Sequence, residues 1–153
     1  MKRTTGFIAK LGVTPIVISA LLLGFETGEK LNKTSAGLAI KGYDPVAYFE
    51  DGRPEKGNPD YQFQWKGAVW RFSSTAHRET FAKNPDRYAP QYGGFCAYGV
   101  SEGHTAPIDP EAWSIIDGKL YLNYDKQVRG DWKKDTDGRI RKADQNWPKL
   151  AGK

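Results

Sequence analysis

Tyr61-Gln62-Phe63-Gln64-Trp65-Lys66-Gly67-Ala68-Val69-Trp70-Arg71-Phe72 is the stretch on which the fold turns. Apolar and polar residues alternate from Tyr61 to Trp65, the period of a strand with one buried face. Lys66-Gly67 supplies the turn, and Val69 to Phe72 returns as a second strand with aromatic cross-strand partners. A second hairpin comes from Trp113-Ser114-Ile115-Ile116 and Leu120-Tyr121-Leu122-Asn123-Tyr124, joined by Asp117-Gly118-Lys119. Around the hairpins the sequence predicts short helices. Asp44 is placed as an N-cap with Pro45 at the first helical position, and that helix ends by Asp51-Gly52. Ser73 or Ser74 caps a helix holding His77 and Phe81, which Asn84-Pro85 stops. Pro107 and Pro110 bracket Ile108-Asp109 in an extended loop. Val128 and Trp132 begin a helical stripe that Thr136-Asp137-Gly138 interrupts. Ile140, Ala143, Trp147 and Leu150 resume it on one face, and Pro148 ends it. The expectation is an α+β fold: a small antiparallel sheet built from two β-hairpins, with short helices and a C-terminal helical segment. No internal repeat and no low-complexity tract is visible.

The 153 residues hold one domain beside an export segment and are too few for two ordinary domains. Net charge is +5, of which residues 1–39 carry +3 (Lys2, Arg3, Lys10, Lys30 and Lys33 against Glu26 and Glu29). The remainder is nearly balanced, with no basic stripe and no nucleic-acid-binding motif, which excludes a nucleic-acid partner. A single cysteine forbids an intrachain disulfide, so packing must supply the stability.

Lys2, Arg3 and Lys10 precede the apolar run Leu11 to Phe25. Basic flank, apolar run and polar spacer form an export pattern, and residues 1–25 read as a signal peptide or an N-terminal membrane anchor. Membrane association is expected through residues 11–25, and an extracytoplasmic location for the residues after them. The other reading of the run is a buried core helix. Residues 26–39 read as a linker and residues 40–150 as the domain.

The stretch most suggestive of chemistry is Gln91-Tyr92-Gly93-Gly94-Phe95-Cys96-Ala97-Tyr98-Gly99, with the lone cysteine among glycines and rings. Cys96, His104 and His77 offer a thiolate and two imidazoles, and a carboxylate from Asp109 or Glu102 would complete a shell for copper or zinc. The competing readings are a buried, structural Cys96 and a reactive thiol. His77 reads otherwise as a solvated residue in the first turn of its helix. For Asp44 and Asp109 the plainer roles are a cap and a turn. A Cys96–His104 nucleophilic pair would need an orienting partner such as Asp109, and no oxyanion donors or substrate pocket accompany it. The sequence therefore supports no catalytic assignment. Tyr43, Tyr48, Trp65, Trp70, Trp113 and Tyr121 read as core before they read as a ligand pocket.

Several fragments in order resemble the YHS domain family in its small exported bacterial form. They are Gly42-Tyr43-Asp44-Pro45-Val46-Ala47-Tyr48-Phe49, the hairpin ending Trp70-Arg71-Phe72-Ser73, and Phe81 to Ala97 with Asn84-Pro85-Asp86-Arg87-Tyr88-Ala89-Pro90-Gln91-Tyr92-Gly93-Gly94-Phe95-Cys96. Asp109-Pro110-Glu111-Ala112-Trp113, Lys119 to Asn123 and Ala143-Asp144-Gln145-Asn146-Trp147-Pro148 continue the likeness, which covers about residues 40 to 150. The resemblance implies transition-metal binding, copper above all, with Cys96 as the counterpart of the family's cysteine. The Tyr-His-Ser triplet that names the family is replaced by Tyr92-Gly93-Gly94. The alternative is a non-catalytic binding or scaffold module for a partner or small ligand, its cysteine structural.

Overall fold

The computed structural model describes residues 28–152, so the export segment assigned to residues 1–25 lies outside the described residues. The helices are α1 (Ala47–Glu50), α2 (Thr75–Lys83), α3 (Pro85–Tyr88), α4 (Ala97–Ser101), α5 (Lys126–Lys133) and α6 (Thr136–Ala151). The strands are β1 (Asn58–Trp65), β2 (Ala68–Phe72), β3 (Asp109–Ile116) and β4 (Lys119–Asn123). No helix among the described residues is long and apolar enough to cross a membrane.

The α+β class is as expected, but the hairpins form two separate two-stranded sheets rather than one. Lys66 and Gly67, and likewise Asp117 and Gly118, have φ between 47° and 73°, the left-handed pair a tight hairpin turn demands. Each hairpin buries one face against its own helix, and a passing segment covers its free edge. The Ala39 N–H donates to the Val69 carbonyl at 2.9 Å, and the Gln91 N–H donates to that of Leu120 at 2.8 Å. With those edges occupied, neither β2 nor β4 is left to pair with the other hairpin.

Those matched bonds belong to an internal repeat, contrary to the sequence reading. Asn58 pairs with Phe72 and Asp109 with Asn123, each partner 51 positions from its counterpart, and both registers slip within the next four residues. The following helices match as well: Phe81 lies 5.1 Å from the Trp70 ring, and Trp132 lies 5.3 Å from that of Tyr121. Before each hairpin stands a left-handed turn, Ile40-Lys41-Gly42 (φ 40°, 58°, 79°) and Tyr92-Gly93-Gly94 (φ 58°, 59°, 77°). A short helix comes after each turn. Few identities survive between the halves, among them Pro59 with Pro110 and Gly67 with Gly118, and the core residues have changed type. That is why the period was invisible in the sequence.

The two turns meet across Asn32. Its N–H donates to the Gly93 carbonyl (2.8 Å), its Nδ2 to that of Gly94 (2.9 Å), and its own carbonyl accepts from the Ile40 N–H (3.2 Å). A Cβ on Gly93 would lie 2.2 Å from the Lys30 carbonyl oxygen, so glycine is required there by space as well as by φ. The described part of the expected linker is thus built into the domain, with Leu31 against the core and Ala39 buried.

Three further expectations are corrected. Pro110 lies inside β3 rather than in a loop, at the register slip, where a ladder bond is already missing. Thr136-Asp137-Gly138 opens α6 instead of interrupting a helix: Asp135 caps it through Oδ1 to the Gly138 N–H at 3.1 Å, and its carboxylate fills the space a Cβ would need. Pro148 does not stop α6, which continues to Ala151. So near the end its missing N–H costs a single bond.

Candidate functional site

The repeat sets Cys96 where the first half has Asp44, each two residues beyond its left-handed turn, with Cys96 as the N-cap of α4 and Asp44 three residues before α1. The cysteine stretch is therefore a turn and a helix cap rather than an open loop. The Cys96 sulfur accepts from the Gly99 N–H at 3.5 Å and faces the Asn123 Oδ1 at 3.6 Å. That oxygen also accepts from the Tyr98 N–H at 3.0 Å. Cys96 is 2% exposed. Beside it, Asn123 Nδ2 is buried without a partner, as is the Trp132 indole N–H.

Asp44 is fully buried, and its carboxylate is the most heavily bonded group of the first half. Oδ1 accepts from the N–H groups of Val46 (2.8 Å) and Ala47 (3.2 Å), bonding the turn that leads into α1. The expected cap at Asp44 with Pro45 as first helical residue is corrected, since α1 begins at Ala47 with Val46 at its cap. Oδ2 accepts from the Ser73 N–H and Oγ–H, both at 2.8 Å, and meets His77 Nδ1 at 2.6 Å. His77 arrives there because Ser74 caps α2 through the His77 N–H at 3.1 Å, turning the imidazole inward instead of into solvent.

The expected ligand set is dispersed. Cys96 and His104 belong to the two flanks of α4, where His104 is exposed and its Nε2 would meet a Cβ on Gly99 at 3.4 Å. His77 is held by Asp44 in the other half. Asp109 begins β3 and accepts from the Glu111 N–H at 2.9 Å, the turn role weighed for it. Glu102 pairs with Arg139, whose guanidinium stacks 4.0 Å from the Tyr98 ring centre. Among the described residues no three His, Cys, Asp or Glu side chains gather as a metal-holding group.

A cleft of about 450 Å³ opens where the first hairpin turn, the Pro90–Gly93 segment and α6 converge. Trp65, Lys66, Tyr92, Lys119, Asp144 and Trp147 line it. The Lys66 ammonium sits 4.5 Å over the Trp65 ring and pairs with Glu29 at 3.0 Å and Asp86 at 3.5 Å. The hydrogen bond from Lys66 holds the Glu29 carboxyl below its ordinary range, and the Trp147 indole N–H adds a second at 3.1 Å. Tyr92 donates to Asp144 at 2.8 Å. The sequence reading missed this cleft because its walls come from distant segments; only Trp65 among them stood in the expected aromatic set.

Burial raises the pKa of the Tyr48 and Tyr92 phenols, and it pushes Tyr121 up to about 12. A folded value above the unfolded one means that stability is intact below the ordinary phenol range and is lost as pH rises through the folded value. Of the eight tyrosines these three should ionise last, so alkaline titration should end in a late phase of tyrosinate absorbance that arrives in step with loss of near-ultraviolet circular dichroism. Ionisation of all eight tyrosines with the dichroism retained would contradict the burial of these rings.

No protein-family model, curated protein or solved structure matches this chain.

Proposed function

We propose that this domain is a non-catalytic binding module whose ligand or partner enters the cleft between the first hairpin and α6, with Cys96 in a structural role. The contrast between the two places supports the reading. The sulfur is sealed and already used as a cap, whereas the cleft is open and presents rings, ammonium groups and carboxylates together. The cavity has the volume of an ordinary small-molecule site, and an extended side chain of a partner would also fit. Transition-metal binding through Cys96, which the likeness to the YHS domain family implies, is the rival reading.

Thiol labelling separates them. With Ellman's reagent, folded protein should react far more slowly than unfolded protein, at a rate set by opening of the fold. Prompt stoichiometric labelling, or one equivalent of Cu(I) bound and lost in Cys96→Ser, would replace the cleft reading with the metal one. Trp65 and Trp147 line the cleft, so intrinsic fluorescence reports its occupancy.

A further inference from the structure

The edge of the first half holds a nitrogen that the fold aims outward and leaves without a hydrogen bond among the described residues. His77 Nδ1 meets the buried Asp44 carboxylate at 2.6 Å, and that carboxylate needs a proton donor there. The ring N–H that serves Asp44 is thus the one on Nδ1, and Nε2 is the nitrogen directed outward, free to take a metal ion in place of a proton. Nε2 faces Asp51 Oδ2 at 3.8 Å, across side chains that are 15% and 32% exposed. That separation is too long for a hydrogen bond. It is close to the spacing of two donors on one metal ion, since bonds of about 2.0–2.2 Å at a tetrahedral angle set them about 3.4 Å apart. A small rotation of the half-exposed Asp51 closes the difference.

We propose that His77 Nε2 and Asp51 form a surface site for a borderline divalent cation of the zinc class, with Asp44 as the buried carboxylate that orients the imidazole. The protein contributes two donors, and water fills the remaining positions. The arrangement obeys the rule that a metal-binding imidazole gives its other N–H to a carboxylate. It is independent of Cys96, which lies in the second half, and of the cleft. The second half has Val128 at the position matching His77 and so offers no equivalent.

The test is calorimetric titration of the full chain with zinc chloride in a non-coordinating buffer near neutral pH, together with nitrogen-15 spectra of the histidine side chains. One equivalent should bind, the His77 Nε2 resonance should move, and Asp51→Asn should weaken binding at least tenfold. Asp51 is partly exposed, so the variant should fold. Cys96→Ser and His104→Ala should leave the affinity unchanged. The site is refuted if no zinc binds, if Asp51→Asn binds as tightly as the parent, or if either control substitution removes the signal.

Discussion

Asp44→Ala should lower stability by about 3–5 kcal/mol, because it deletes the acceptor for a whole set of buried donors at once. Without the carboxylate, the N–H groups of Val46, Ala47 and Ser73, the Ser73 hydroxyl and the His77 ring lose their shared partner. These groups come from the turn before α1, the end of β2 and the first turn of α2, so one side chain ties three segments together. Denaturant titration would show the loss as a lower midpoint at unchanged slope. Asp44→Asn should fall between, since an amide oxygen can still cap α1 but its nitrogen cannot accept from Ser73. A loss below about 1 kcal/mol for the alanine variant would mean that water takes over the carboxylate's bonds.

Phe81→Ala should cost a comparable amount, about 3–5 kcal/mol, for a different reason. Phe81 is fully buried, and its ring centre lies 5.1 to 6.1 Å from those of Phe63, Trp65, Trp70 and Phe72. Both strands of the first hairpin thus pack on this one ring. Truncation leaves a cavity that indoles and phenyl rings, held by their own strands, cannot collapse to fill. Guanidinium unfolding monitored by tryptophan fluorescence measures the loss, and a change under about 1 kcal/mol would show that the hairpin packs on α2 mainly by other contacts.

Local chemistry was legible in the sequence and long-range partnership was not. Both hairpins could be read because Lys66-Gly67 and Asp117-Gly118 are turn pairs flanked by alternating apolar residues. The capping of α2 by Ser74 was equally local. Pro110, Gly138 and Pro148 were misread because each breaks structure on average yet here occupies a place where its defect costs little: a register slip, a first turn under a capping carboxylate, and a last turn. Asp44 was read as a helix cap, and one of its oxygens does bond the N–H groups that lead into α1, though the helix starts two residues later than expected. The other oxygen meets a histidine 33 residues away, and no periodicity announces such a contact. Cys96 drew attention by being the sole cysteine, yet in the fold it takes the position that a capping aspartate holds in the other half.

The paired left-handed turns carry a consequence for how the halves stay together. Ile40 Cγ2 lies where a side chain on Gly94 would have to go, and Asn32 bonds to both turns, so neither half finishes its own surface. As two free polypeptides they would have to overcome about 4–15 kcal/mol of lost translational and rotational freedom before that contact could form. Here the short run from Asn84 to Gln91 tethers them, and docking becomes an intramolecular step at high effective concentration. Tethering thus lets the two turns, and a core drawn from both halves (Phe72 and Phe81 with Ile108 and Leu120), close without any association step.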